Sequence, residues 1–455
     1  MKVVTKENAI QPGDRVLVLG LGLSGRSSAN FCAAQGARVL AADERPAAQL
    51  EALDTLDRQI EVHTGKPLPS KLDYDWIVPS PGVPPSRYRE SKARIAGDIE
   101  LAGLALQIPI IAVTGSNGKS TTVLMIEAMC NAAGLRARAA GNLGTPALSL
   151  VSQPLDVAIL EVSSFQLETT RQFRPRVAVV LNITPDHLDR HGSFDAYVDA
   201  KRNLVRRQGP DDHAVLDAGN EVSLSFAEHT AAHILFFGAV TSPAAISDGA
   251  WPDGEALVLK RDHQLQRFPL DGFPLVGTHN RENAAAALAA VSALDIDVAK
   301  AIDGLSTFTG LPHRCEVVAH QNRVTWVNDS KATNPGAAVR SLEAFPAPVI
   351  WIAGGRDKNL DFGPLATACQ GRVREVLLVG ESAHALERVL QGQAPTRHCG
   401  SIEEAVRHAQ QQANAGDVVL LAPACASFDQ FTSYEERGDH FRAAVHKILR
   451  RNPAT

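Results

Sequence analysis

Aromatic residues supply only 5% of this 455-residue chain, and its six cysteines (Cys32, Cys130, Cys315, Cys369, Cys399 and Cys425) fall without CxxC or Cys/His ligand spacing. That spacing argues against a zinc ribbon and against a disulfide framework, and it suits thiols that serve as small buried hydrophobes in a reducing compartment. No stretch approaches the ~18 uninterrupted apolar residues of a membrane-spanning helix, and the amino terminus, MKVVTKENAIQPGD, holds no apolar run of signal-peptide length. The expectation is a cytoplasmic protein. An excess of positive charge is also lacking: the formal net charge of -5 gives no global field for nucleic acid, so any phosphate binding must be local, and small phosphorylated ligands fit better.

What is present is an ordinary globular composition, 45% hydrophobic and 21% charged, which excludes disordered and fibrous classes. Because single cores stop growing near ~250–300 residues, the length implies three domains. Short β-branched runs at 15–19, 37–41, 76–78, 110–113, 157–160, 177–181, 349–353, 375–379 and 418–421 alternate with Ala- and Leu-rich helical patterns. Continuous apolar runs separated by helices predict parallel strands buried on both faces, an α/β fold. A Pro-rich loop at 79–85 closes a first unit, 1–97; a second spans 98–310, ending at the turn Thr309-Gly310-Leu311-Pro312 after helices at 283–294 and 297–305; the third is 311–455.

In the second unit Ile110-Ile111-Ala112-Val113 runs into Thr114-Gly115-Ser116-Asn117-Gly118-Lys119-Ser120-Thr121 and then a helix. Strand, glycine turn and helix start make a phosphate loop: backbone N–H groups, the helix dipole and the Lys119 ammonium converge on phosphate oxygens, and the Ser120 hydroxyl can reach magnesium. The first glycine of the usual pattern is replaced by Val113, leaving a shorter variant. Gly-Lys-Ser-Thr alone can also open any solvated helix; the preceding strand favours the phosphate loop.

Gly20-Leu21-Gly22-Leu23-Ser24-Gly25 follows the first strand, with Asp43 after the second. Alone it reads as a dinucleotide fingerprint. The glycines and helix N-terminus accept any diphosphate, however, and Arg45 could reach a uracil or phosphate oxygen. A UDP-type ligand, NAD or FAD, and a purely structural turn are the alternatives; the phosphate loop downstream favours UDP.

Glu161 and His187 stand beyond two further strands, in Glu161-Val162-Ser163-Ser164-Phe165-Gln166-Leu167 and Asp186-His187-Leu188-Asp189. Ligands of open α/β sheets bind at that carboxyl edge, and glutamate offers a hard oxygen to magnesium. Either residue alone reads as a surface or cap residue. Lys201, on a helix predicted over 194–205, reads as a solvated lysine.

These segments, with Ser80-Pro81-Gly82, His279-Asn280-Arg281-Glu282-Asn283, His313-Arg314, Asn328-Asp329-Ser330-Lys331-Ala332-Thr333-Asn334, Gly354-Gly355-Arg356-Asp357-Lys358 and Ala422-Pro423-Ala424-Cys425-Ala426-Ser427-Phe428-Asp429-Gln430-Phe431, resemble the Mur ligases, in their D-glutamate-adding branch. The resemblance implies a Rossmann-like N-terminal domain, a central P-loop ATPase-type domain and a C-terminal Rossmann-like α/β domain. It implies addition of D-glutamate to UDP-N-acetylmuramoyl-L-alanine through an acyl phosphate, in peptidoglycan precursor synthesis. By the same resemblance the UDP substrate meets Leu23, Ser24, Arg45, Gly82, Asn142 and Ser163, and ATP meets the phosphate loop, Asn280, Asn283, Arg314 and Asp329. Two magnesium ions are implied at Ser120, Glu161, His187 and a carbamylated Lys201, the carbamate replacing an ammonium that would repel dications. D-glutamate is implied at Thr333, Lys358, Ser427 and Tyr434, the last standing where some relatives carry phenylalanine. Closure of the third domain is expected to exclude water from the acyl phosphate. The rivals are a sister ligase adding another amino acid or extending folate with glutamate, of which a diaminopimelate-adding relative would be expected to carry an Asp-Asn-Pro-Arg that is absent here, and, from another class, a nucleotide-gated binding protein or NAD-dependent oxidoreductase.

Overall fold

The computed structural model describes residues 9–69, 73–238, 247–270, 273, 275, 277–294, 296–308, 310–345, 348–357 and 360–451. It forms two compact units, Met1–Gly272 with Glu282–Thr307, and Phe273–Arg281 with Phe308–Thr455.

The first unit holds two sheets. In one, β1 (Arg15–Leu19), β2 (Arg38–Asp43), β3 (Glu61–Thr64), β4 (Trp76–Pro79) and β5 (Arg94–Ile95) lie parallel in the order β3-β2-β1-β4-β5. The other contains β6 (Ile110–Thr114), β7 (Ala137–Gly141), β8 (Val157–Glu161), β9 (Val177–Val180), β10 (His213–Asp217), β11 (His233–Phe237), β12 (Gly249–Asp253), β13 (Ala256–Arg261) and β14 (Gln264–Pro269), in the order β14-β13-β12-β11-β10-β9-β6-β8-β7. Every residue of β6, β8 and β9 is buried, as expected for apolar runs covered on both faces. The chain leaves β6 for β7 and β8 on one side and returns to β9 on the other, so β6 stands at a topological switch point, where open α/β sheets form a crevice. The pairs Val113 with Glu161 and Thr114 with Val180 bring three strand ends together there.

The second unit's sheet contains β15 (Glu316–Gln321), β16 (Val324–Asn328), β17 (Val349–Gly354), β18 (Val373–Val379), β19 (Thr396–Gly400) and β20 (Val418–Leu421), ordered β15-β16-β20-β17-β18-β19. All three sheets are α/β and mainly parallel, as the apolar runs predict. The exceptions are two hairpin regions: β12-β13-β14 and β15-β16 are antiparallel. The helix expected over 283–294 begins earlier, at Thr278, and its Ala284–Ala290 segment is fully buried, small side chains letting the backbone pack closely on all sides. Among the described residues no helix is long and apolar enough to cross a membrane.

Candidate active site

The phosphate loop needs backbone that only glycine adopts without strain. Gly115 has φ +152° and Gly118 φ +86°. A Cβ on Gly115 would stand 2.7 Å from Leu181 Cβ, and one on Gly118 would stand 2.5 Å from Asn283 Oδ1, so Asn283 lies directly against the loop. The loop is fastened to the chain beyond β9: the Ser116 N–H donates to the Asn182 carbonyl (2.8 Å), and the Asn117 N–H donates to Asn182 Oδ1 (3.2 Å). Ser116 Oγ donates to the Thr184 carbonyl and lies 2.9 Å from the Tyr197 hydroxyl. Lys119 Nζ curls back to the carbonyls of Gly115 (2.8 Å) and Ser116 (2.9 Å), which holds its charge over the turn.

Across this edge the Ser120 hydroxyl donates to Glu161 Oε2 at 2.5 Å, and Asn142 Nδ2 donates to Glu161 Oε1 at 2.8 Å. Glu161 is buried. Lys201, expected to be solvated, is instead 1% exposed: its Nζ donates to Thr114 Oγ1 (3.2 Å) and the Gly115 carbonyl (3.0 Å) and lies 4.8 Å from the centre of the Tyr197 ring. Burial first, and then Lys119, push its pKa well below the usual lysine value, against the opposing charges of Asp186 and Glu161. His187 has a left-handed backbone (φ +52°), a conformation costly outside glycine and frequent at functional sites, and its ring meets Phe165 edge-on at 5.0 Å.

Leu23, Ser24, Arg45 and Gly82 all line one cavity of about 540 Å³ at the carboxyl ends of β1, β2 and β4. Asp43, which would face a ribose in a dinucleotide site, is engaged within the protein: Oδ2 accepts the Leu21 N–H (2.7 Å) and the Arg45 guanidinium (2.8 Å), and Oδ1 accepts the Arg45 N–H (2.9 Å). Ser163 caps the short helix Ser164–Leu167 in a reciprocal arrangement with Gln166. Gln166 Nε2 donates to the buried Asp98, which also bonds Ser24, so a hydrogen-bond chain links Ser24 to Ser163.

In the second unit the buried Asp329 accepts the Cys315 N–H (3.2 Å) and the Ser341 hydroxyl; burial raises its pKa, opposed by those bonds and by the Arg314 charge. Thr333 follows in the same connection, its N–H donating to the Lys331 carbonyl, and Lys331 Nζ sits 3.7 Å from the centre of the Tyr434 ring. Ser427 is buried. Asn280 is buried in the first turns of the helix Thr278–Ser292, which also carries Asn283. Lys358 lies outside the described residues.

Sequence reading assigned no role to Tyr197, Asn182, Asp98, Arg190 or Arg437. Tyr197 sits four residues before Lys201 on one helix face, a spacing that could have revealed it. Arg190 Nη2 reaches the Val83 carbonyl (3.2 Å) and Glu168 (3.2 Å) while the guanidinium covers Phe165, tying the cavity loop to the His187 turn. Arg190 ends the segment Asp186-His187-Leu188-Asp189-Arg190 that carries the family resemblance, but that segment does not foreshadow its contacts.

A phosphate loop at a sheet switch point, with a buried glutamate and lysine at its rim, defines a P-loop nucleotide-binding enzyme. Three families match in order along the chain: the Mur ligase MurD-like N-terminal domain over 14–103, the Mur ligase middle domain over 113–291 and the Mur ligase glutamate ligase domain over 313–425. Two relatives are UDP-N-acetylmuramoylalanine--D-glutamate ligases. That of Anaeromyxobacter dehalogenans (strain 2CP-C) is 43% identical across 94% of this chain and 97% of its own; that of Koribacter versatilis (strain Ellin345) is 40% identical across 96% and 98%. The chain belongs to the Mur ligase family. Solved structures share its fold, among them a pseudomurein peptide ligase type C from Methanothermus fervidus (18% identity, 96% and 100% covered, TM-score 0.62) and the MurF ligase from Thermotoga maritima in complex with ADP (17%, 98% and 100%, TM-score 0.61).

Proposed function

We propose that this chain is the ATP-dependent ligase that adds D-glutamate to UDP-N-acetylmuramoyl-L-alanine, a step of peptidoglycan precursor synthesis in the cytoplasm. The observation that carries the reading is identity of 43% with a D-glutamate ligase along almost the whole of both chains. Engagement of Asp43 by Leu21 and Arg45 supports UDP over a dinucleotide, since its acceptors are already used.

A carboxylate is a poor electrophile, so the L-alanine carboxylate attacks the γ-phosphorus of ATP, ADP departs and an acyl phosphate forms. The neutral amine of D-glutamate then attacks the acyl carbon, and inorganic phosphate leaves with the new amide complete. Gly115, Ser116, Asn117, Gly118 and Thr121 form the turn and helix start that receive the phosphates, Asn280 and Asn283 flank the nucleotide, and Lys119 neutralises charge on the transferring group. Leu23, Ser24, Arg45, Gly82, Asn142 and Ser163 hold the UDP substrate. Arg314 and Asp329 are the second unit's candidate contacts to ATP, and Thr333, Lys358, Ser427 and Tyr434 are its candidates to receive D-glutamate.

Magnesium fits the donor set, because the Ser120 hydroxyl and the Glu161 carboxylate already converge within 2.5 Å and His187 stands on the neighbouring strand's exit. When bound it supplies positive charge beside the phosphoryl oxygens. The buried amine of Lys201, held toward its neutral form, would attack carbon dioxide and give up a proton, and the carbamate so formed would offer an oxygen to the ion.

The test is phosphate release by the purified protein with ATP, magnesium and UDP-N-acetylmuramoyl-L-alanine, comparing D-glutamate with L-glutamate, L-lysine, diaminopimelate and no amino acid. Release that requires D-glutamate, with a product one glutamyl residue heavier, is expected. Release driven by another amino acid would overturn the specificity, and none under any condition would overturn the ligase reading.

A further inference from the structure

The outer edge of the second unit's sheet carries three metal-ligating side chains unconnected with this chemistry. His384 and Glu387 lie three residues apart on the helix Ala383–Leu390, and His398 lies on the edge strand β19. Ala383, Leu386, Leu390 and Cys399 are buried, so core packing fixes both backbones while the three polar side chains share the outer surface.

Their separations have a particular size. His398 Nε2 lies 3.1 Å from Glu387 Oε2, His384 Nδ1 lies 3.7 Å from the same oxygen, and one ligand atom from each residue falls within 4.8 Å of the other two. The two imidazole rings stand 4.7 Å apart, tilted by 41°. A tetrahedral ion bound at ~2.0–2.2 Å by imidazole nitrogen and carboxylate oxygen separates its ligand atoms by about 3.3–3.5 Å. The two measured separations bracket that value, so small rotations of exposed side chains complete the geometry. The Thr396 hydroxyl, 3.5 Å from the carboxylate's other oxygen, stands where a supporting hydrogen bond would orient Glu387.

We propose that His384, Glu387 and His398 form a surface site for a divalent transition ion of the zinc class, with its remaining position open to water. Two imidazoles and one carboxylate suit zinc and its neighbours and disfavour magnesium and calcium, which prefer all-oxygen ligands. The ion would staple the helix to the edge strand, which otherwise has hydrogen-bonding neighbours on one side only.

Calorimetric titration of the full chain with zinc, in buffer already saturated with magnesium, tests this. One equivalent is expected to bind, to weaken by about 10- to 100-fold or more in H384A and in H398A, to vanish in the double variant, and to persist in E161Q. Magnesium-dependent phosphate release by the double variant should match the parent, which shows that it folds. Zinc bound with unchanged stoichiometry and affinity by H384A/H398A, or no binding by the parent protein below millimolar zinc, would overturn the site and leave the three residues as a surface ion-pair cluster.

Discussion

Arg437 gives the sharpest test of how the second unit is held together. Its guanidinium is 2% exposed and makes four hydrogen bonds: Nε to Ser330 Oγ (3.0 Å), Nη2 to the carbonyls of Ser330 (2.9 Å) and Cys425 (3.1 Å), and Nη1 to the Ala426 carbonyl (3.2 Å). Burial pulls its pKa down to about 10, opposed by Cys425 and Asp429, so it stays charged at neutral pH. Each hydrogen bond to a charged group contributes ~1.5–3 kcal/mol, and desolvating the guanidinium costs several kcal/mol in return. Arg437→Leu removes both terms but strands buried carbonyls, so a net loss of about 3–5 kcal/mol is expected in urea unfolding of the purified protein. Arg437→Lys keeps the charge but cannot fork between two loops, and should recover less than half of that loss. Because Ser330 leads to Thr333 and Ala426 leads to Ser427, the lysine variant should also raise the KM for D-glutamate. A loss below ~1 kcal/mol for the leucine variant, with an unchanged KM for the lysine variant, would refute the view that this side chain sutures the two loops.

Gly118→Ala forces a Cβ to 2.5 Å from Asn283 Oδ1 at φ +86°, and should cut phosphate release at least ~10-fold while circular dichroism stays unchanged. Asp43 is held at about 2: burial would raise its pKa, but the bonds from Arg45 and the Leu21 N–H outweigh it. A depressed carboxylate pKa stabilises the fold above the unfolded value near ~4 and loses that contribution as pH falls toward 2. Asp43→Asn should therefore destabilise by about 1–2 kcal/mol at pH 7 in urea titrations, with the gap to the parent protein closing between pH ~4 and ~2. Arg190→Ala cuts the tie from the His187 turn to the Val83 carbonyl, and steady-state kinetics should show the KM for the UDP substrate raised about tenfold, equivalent to ~1.4 kcal/mol, with the KM for ATP changed less than twofold.

The parallel strands were legible because burial on both faces leaves an uninterrupted apolar run, as in Val349–Gly354 and Val177–Val180. The hairpins were not. Two of their three turns, Asp262-His263 and Asn322-Arg323, hold positive φ at both positions without glycine, so the strongest short-range hairpin signal is missing there; only the turn Gly254-Glu255, after Asp253, carries a glycine at positive φ. The outer strand Gln264–Pro269 is exposed along nearly its whole length, so no apolar alternation marks it, and Thr396–Gly400 buries one residue in five.

At the site, the phosphate loop and Glu161 could be read because strand, turn and strand end are local in sequence, and sheet topology alone then brings them together. Lys201 demanded a different argument, and its signal was present. Phe194, Tyr197, Val198 and Lys201 follow the i, i+3, i+4, i+7 pattern of a buried helical stripe, while Asp195, Ala196 and Asp199 face solvent. A lysine in the fourth place of such a stripe either snorkels out or buries its amine, and on the face that Tyr197 packs against Ser116, in the helix's last turn, Lys201 is buried. Burial then favours the neutral amine, and a neutral amine among Glu161, Asp186 and Lys119 has a chemical use that a solvated ammonium lacks. The decisive fact was which face of one helix the lysine occupies, and the residue type alone pointed the other way.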